Sequence, residues 1–197
     1  MAGKRLLLHS CCGPCSTAVI ERLLKEGYEI TVFYFNPNIT DPAEYEHRKS
    51  EQIRLIEELR KKGEDIKFMD GFYEPQEFLD AVSGYEDEPE GGKRCELCFA
   101  IRLEAAAWVA AEYNFDCFDT TLSVSPHKNY DKIKEAGDTF AYRYGVEFLA
   151  GNYKKKDGFK RSIELSKEYG LYRQDYCGCV FSLREAEAYR KARQEEG

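Results

Sequence analysis

Five short apolar stretches recur along the chain, and each is followed by a longer segment of helical pattern. KRLLLH (Lys4–His9), EITVFYF (Glu29–Phe35), DIKFMD (Asp65–Asp70), CFDTTL (Cys117–Leu122) and VEFLA (Val146–Ala150) are rich in leucine, β-branched or aromatic side chains and read as strands. Helices are expected from Pro14 to Gly27 and from Asp41 to Lys62, with Glu44 as capping-box partner of Asp41. Others are expected from Glu74 to Val82, Cys95 to Tyr113, Ser125-Pro126 to Arg143 and Ser162 to Tyr169, before a last polar helix. Strand–helix alternation of this kind predicts an α/β fold: a doubly wound, mostly parallel, Rossmann-like sheet of about five strands with helices on both faces. Ligands of such folds sit beyond the carboxyl ends of the strands. With 197 residues, one domain over 1–197 is expected, its segment from about 159 to 197 completing the site.

The net charge of −7 argues against a protein that grips phosphate backbones over its whole surface, though a local basic patch remains compatible with RNA. No apolar run approaches the roughly 20 residues of a membrane span. The three leucines near the start are too few for the apolar region of a signal peptide, so the expectation is a cytoplasmic protein with no membrane partner.

Eight cysteines are many for a reducing compartment, where disulfides seldom persist. Seven fall into three clusters: Cys11-Cys12-x-x-Cys15, Cys95-x-x-Cys98 and Cys177-Gly178-Cys179. Each cluster alone is weak evidence; together they point to metal or redox chemistry. Cys12 and Cys15 sit at the start of a helix, where the partial positive charge favours thiolate. Cys95 and Cys98 share a helix face, and Gly178 permits a turn tight enough for its two neighbours to converge. The first cluster follows the first strand, so it lies at the ligand edge. A structural zinc or an iron–sulfur cluster takes four thiolates, which leaves three over: two sites, or one site and a redox-active dithiol. Cys117, inside a strand, reads as a core thiol.

Other candidates are less specific. His9 fits either the site or a hydrogen-bonded structural role, and His127 sits near the ligand edge. YEDEPEGGK (Tyr85–Lys93) reads as an acidic loop. Lys154, Lys155, Lys156, Lys160 and Arg161 form the one concentrated basic patch, just after the fifth strand. A solvated loop explains them; a polyanion held there would lie close to the thiols. In YGLYRQDYCGC, Tyr172 and Tyr176 can stack on a base, Arg173 and Gln174 can hold phosphate, and Asp175 can manage protons.

LLLHSCCGPCS, FYFNPNI with EYEHR, CELCFAIRLEAAA, TTLSVSPHK and LYRQDYCGCVFS together resemble the epoxyqueuosine reductases of the QueH type over nearly the whole chain. The resemblance implies a fold similar to the PP-loop ATP pyrophosphatases, but with thiols where those have a phosphate loop, hence no ATP. It implies the last step of queuosine synthesis: reduction of the epoxide of epoxyqueuosine at the tRNA wobble position to an alkene, without cobalamin. It implies Cys11, Cys12, Cys95 and Cys98 as ligands of a [4Fe–4S] cluster, and Cys177 and Cys179 as a redox-active pair able to form a disulfide. Those two, with Cys15, are alternatively the ligands of a second adjacent iron. Asn36, Asn38, Tyr45 and Arg48, with the basic patch, Tyr172, Arg173 and Gln174, are implied as substrate-facing, and Asp175 and Tyr176 as catalytic. The partners implied are the modified tRNA and an external electron donor, ferredoxin- or flavodoxin-like, or dithionite in vitro. Relatives have an acidic residue before an aromatic one ahead of the basic loop. Asn152-Tyr153 stands there in this chain, so no carboxylate role is assigned. Two alternatives stay open, a tRNA sulfur transferase of the same fold and a zinc-stabilised RNA-binding module; a general thiol–disulfide oxidoreductase is disfavoured, because one CxxC would suffice for it and this chain has three clusters.

Overall fold

A computed structural model describes residues 3–195. Its five strands form one all-parallel sheet in the order β3-β2-β1-β4-β5. They are β1 (Arg5–His9), β2 (Glu29–Tyr34), β3 (Lys67–Asp70), β4 (Cys117–Thr120) and a two-residue β5 (Glu147–Phe148). The helices are α1 (Gly13–Lys25), α2 (Pro42–Lys61), α3 (Pro75–Ala81), α4 (Lys93–Glu112), α5 (Tyr130–Tyr144), α6 (Gly158–Glu168) and α7 (Val180–Glu195).

β1 is central, with Leu6 facing Ile30 of β2 on one side and Cys117 of β4 on the other. Its leucines alternate between faces because strand side chains have a period of two. Leu6 and Leu8 pack with Val19 and Ile20 of α1 and Leu55 of α2; Leu7 packs on the other face with Leu103 and Ala106 of α4 and Ile133 of α5. Each fully buried leucine contributes roughly 1.5–3 kcal/mol of transfer free energy. The strand order reverses between β1 and β4, so their carboxyl ends diverge into the crevice that binds ligands in open α/β sheets. The Cys11–Cys15 turn leaves β1 at that point.

Several boundaries differ from those expected, each for a local reason. Asp41 does cap α2, accepting from the Ala43 amide at 2.8 Å, but Glu44 does not complete a capping box; Arg48 draws its carboxylate away at 2.6 Å. α5 is capped by Asn129, whose side chain accepts from the Asp131 amide at 2.9 Å, and not by Ser125. Thr121–Val124 form a turn of 3-10 helix instead of extending β4. α6 starts at Gly158, so Lys160 and Arg161 are helical and not part of the loop. The acidic stretch before α4 folds back: the Arg94 guanidinium donates to the Glu86 carbonyl at 2.9 Å and to the Glu88 carbonyl, and the Glu88 carboxylate accepts from the Lys93 amide at 3.0 Å. Among the described residues no helix is long and apolar enough to cross a membrane.

Candidate metal centre

The Cys11–Cys15 turn is held from four sides. Asn36 donates to the Ser10 carbonyl at 2.9 Å, and the Ser10 amide donates to Phe33 at 2.9 Å. The Ser10 and Ser16 hydroxyls reach Gln52 of α2 at 2.6 and 2.8 Å. The Cys11 amide donates to the Thr121 hydroxyl at 3.1 Å, and that hydroxyl donates on to the Cys11 sulfur at 3.4 Å. Cys12 caps α1 in extended conformation, which places Cys15 in the first turn. The result is that the Cys11, Cys12 and Cys15 sulfurs all lie within 4.8 Å of one another.

Three thiolates that close cannot all ionise without a cation. The contact with Cys12 lowers the Cys11 pKa well below the usual thiol range, while the contact with Cys11 raises Cys12 to about 12 and drives Cys15 up too. The close packing thus favours ionisation at Cys11 and opposes it at its two neighbours. Gln174 adds a donor from outside, its amide nitrogen 2.9 Å from the Cys12 sulfur.

Cys95, Cys98, Cys177 and Cys179 line an adjoining cavity with Asn38, Arg102, His127 and Lys128. Arg102, His127, Lys128 and Cys177 also line the cleft that holds Cys11 and Cys15, so the two groups of thiols border connected space, and Cys15 shares its cleft with Cys177. All eight cysteines are unpaired, so no Cys177–Cys179 disulfide is present. Cys179 accepts instead from the Ser182 amide at 3.4 Å at the start of α7. Cys117 is fully buried in β4, as a core thiol should be.

Two cations sit among these sulfurs. Arg102 is 1% exposed; its guanidinium donates to the Cys98 sulfur and the Cys98 carbonyl, both at 3.1 Å. Burial opposes its charge, but Cys98, Cys177, Cys11 and Cys95 more than offset this and raise its pKa. Lys128 is half-buried, and its pKa is raised against burial by Cys177, Cys11 and Cys15. A donor set of soft sulfurs with two inward-facing cations fits a metal group of net negative charge. Sequence reasoning missed Arg102, although its spacing of four from Cys98 on a helix put it on the cysteine face. It also missed Lys128 and Thr121.

The segment that carries Cys177 and Cys179 is strapped to α2. The Tyr172 amide donates to Glu51 at 2.6 Å, and Arg54 donates to the carbonyls of Tyr169 and Gly170, each at 2.8 Å. The Tyr172 ring stacks on His47 at 4.2 Å. Arg48, 2% exposed, pairs with Glu44 and donates to the Cys177 and Tyr176 carbonyls at 3.1 and 3.4 Å. The Thr40 amide donates to the Gly178 carbonyl at 3.2 Å. Gly178 has φ +117, and a Cβ there would come within 2.8 Å of Ile39.

The remaining candidates spread out. Arg173, Gln174, Asp175 and Tyr176 line the Cys11–Cys15 cleft. Asn38 lines the adjoining cavity with its carbonyl oxygen unpartnered, while Asn36 is committed to the cysteine turn. Tyr45 is 1% exposed and stacked on Tyr73 at 3.7 Å, inside a tyrosine cluster. Lys155, Lys156 and Lys160 are exposed, and Lys154 donates to the Lys128 carbonyl at 2.9 Å. Arg161 is turned to Glu21, 2.8 Å away, on the α1 side. His9 is structural: its Nε2 donates to the Phe35 carbonyl at 3.0 Å, its Nδ1 accepts from Thr120 at 2.9 Å, and burial lowers its pKa to about 4. Tyr153 donates to Asp119 at 2.6 Å, and the Gly151 amide donates to the same carboxylate at 3.1 Å.

Comparison with known proteins agrees with this architecture. The fold is similar to that of a solved structure described as a predicted subunit of tRNA methyltransferase from Methanocaldococcus jannaschii, with TM-score 0.51 at 16% identity over 84% of this chain and 75% of that one. Curated relatives named Epoxyqueuosine reductase QueH are 40% identical in Streptococcus pyogenes (91% of this chain, 70% of that protein) and 42% identical in Histophilus somni (95% and 76%). The Thermotoga maritima relative of the same name is 37% identical over 91% of both chains. The family described as Epoxyqueuosine reductase QueH matches residues 6–185, and with identities of this size over most of its length the chain belongs to that family.

Proposed function

We propose that this protein is an epoxyqueuosine reductase acting on tRNA, and that it works as one unit in which residues 159–197 complete the site. The reaction takes two electrons and two protons; the epoxide oxygen leaves as water and an alkene remains. The observation that carries the reading is the convergence of seven thiols and two inward-facing cations in a chain of this family. Cys11, Cys12, Cys95 and Cys98 are the proposed ligands of a [4Fe–4S] cluster, with Cys15, Cys177 and Cys179 left for a second iron or a redox pair. When bound, such a cluster supplies electrons singly, and iron supplies Lewis acidity toward the epoxide oxygen. No cobalamin and no ATP enter this scheme.

The chain's own residues bind, orient and protonate. Lys154, Lys155 and Lys156 follow β5 at the ligand edge, where phosphates of an anticodon loop would meet them. Tyr176 lines the cleft beside Cys177 and is the proposed proton donor to the departing oxygen; burial raises its phenol pKa, which keeps the proton in place at neutral pH but makes the phenol a weak acid. Asp175 lies next to it, 3.6 Å from Arg190. Gln174 fixes the Cys12 sulfur. Electrons come from an external donor of the ferredoxin or flavodoxin class, replaceable by dithionite.

The test is anaerobic purification, iron and sulfide quantitation with electron paramagnetic resonance, and assay on tRNA carrying epoxyqueuosine. Iron with acid-labile sulfide and a queuosine product are expected. Zinc without charge-transfer absorbance, or an ATP-dependent thiolated nucleoside, would overturn the reading.

A further inference from the structure

Three arginines are buried near the thiols, and they are partnered differently. Arg48 has the Glu44 carboxylate at 2.6 Å, and Arg94 has Glu185 at 3.2 Å. Arg102 has no carboxylate partner among the described residues; its polar contacts are the Cys98 sulfur and the Cys98 carbonyl. A guanidinium keeps its charge in any protein. An isolated buried charge costs several kcal/mol, so a buried cation without a carboxylate needs another anion. Arg102 lines both the Cys95–Cys98 cavity and the Cys11–Cys15 cleft; Glu90 borders both as well, but it is exposed and forms no ion pair with Arg102, which leaves the sulfurs as the groups that touch the guanidinium. Its counter-ion is therefore whatever anionic group the cysteines hold.

We propose that Arg102 is a positioning and potential-setting residue, whose charge and whose hydrogen bond to the Cys98 sulfur stabilise the reduced form of the metal group over the oxidised one. This rests on the proposed iron–sulfur site. Reduction adds one electron from the donor, breaks no bond and makes the group one unit more negative. A fixed positive charge 3.1 Å from a ligand sulfur favours the more negative state, and hydrogen bonds to cluster sulfurs are among the levers that set such potentials. Arg102 thereby lets a weaker reductant load the site. Its planar fork also bonds the Cys98 carbonyl, which fixes the sulfur's direction from within one helical turn.

The experiment is a dithionite titration of the anaerobically reconstituted protein, followed by electron paramagnetic resonance, for wild type, Arg102→Met and Arg102→Gln. If the wild type takes up no iron and sulfide, the functional reading itself fails. If it does, Arg102→Met is expected to keep its iron and sulfide while its reduction equilibrium shifts about tenfold toward the oxidised form, which for a one-electron couple is about 59 mV lower. Arg102→Gln keeps a donor but not the charge; it is expected to shift the same way by less, and it carries the test where the methionine variant takes up no iron. A wild-type potential in either loaded variant overturns the proposal, because a merely structural arginine would change iron uptake or stability and leave the potential in place.

Discussion

The Cys11–Cys15 turn and the Tyr169–Cys179 strap bring thiols to the same space by different means. The turn is part of the sheet edge: its three sulfurs converge because five residues leave a central strand and enter a helix, and the 3-10 turn that follows β4 supplies Thr121 to hold them. The strap has irregular backbone and is tied to α2 through Arg48, Glu51 and Arg54. In the first site the thiols are neighbours in the chain and distant residues brace them; in the second the thiols themselves are brought in by contacts between residues about 120–130 positions apart. The turn is therefore expected to tolerate loss of a single support, and the strap to loosen as a unit.

The largest effect expected is at the turn itself. Cys11→Ala should lose most of the bound iron and more than about 100-fold in turnover, beyond the range for losing an outer partner of a metal site. A variant that converted epoxyqueuosine-tRNA at the wild-type rate would sink the assignment of Cys11. The strap's counterpart is Arg48→Met, which leaves the partly exposed Glu44 without its cation and removes two backbone ties. Because only the arginine of this pair is fully buried, the cost should lie below the roughly 3–5 kcal/mol of breaking a fully buried pair. Faster hydrogen exchange over residues 170–178, with little change in the sheet, is the signature to look for; uniform exchange would mean that the strap does not open separately.

These contrasts explain what could be read from sequence. The parallel sheet was legible because strand and helix patterns alternate, and the Cys11 turn was legible because its thiols are adjacent in the chain. The strand order, with its reversal between β1 and β4, was not, since nothing local in β4 says which side of β1 it takes. Arg48 reads as substrate-facing in EYEHR and does line the cleft, but its tie to the strap through the Cys177 and Tyr176 carbonyls is set by partners about 130 positions away, which no local pattern shows. Ser125-Pro126 looked like a helix start because Ser-Pro is a good cap; Asn129, with two amides to accept from, wins instead. The buried acid of CFDTT had no motif to flag it, and its function as an anchor for Gly151 and Tyr153 appears only when β4 and the following loop are packed together.

That acid provides a pH test of the sheet edge. Burial raises Asp119 to about 6, from an ordinary value of 3.8, against the hydrogen bonds it accepts. Because the folded state holds this proton more tightly, its stabilisation is full below about pH 4 and is lost as pH rises through about 6, roughly 3 kcal/mol in all. Asp119→Asn should flatten that part of the stability curve in chemical denaturation. In the strap, Gly178→Ala should cost about 1–3 kcal/mol, since the residue sits at φ +117 with no room beside Ile39. An equal midpoint of thermal unfolding would show that the turn relaxes at no cost.

The smallest effect separates the strap's backbone from its side chains. Tyr172 is 36% exposed, so its stack on His47 contributes at the low end of about 0.5–1.5 kcal/mol. Its tie to Glu51, however, is made by the main-chain amide, which any residue but proline retains. Tyr172→Ala should therefore lower stability by less than about 1 kcal/mol and leave iron content and turnover at saturating tRNA unchanged. If the ring also stacks on a base of the anticodon loop, KM for tRNA rises by the roughly 1–3 kcal/mol typical of one such contact, which is about 5- to 150-fold. A fall in kcat with KM unchanged would instead put Tyr172 among the groups that act on the epoxide, and the strap would then be part of the chemistry and not only its support.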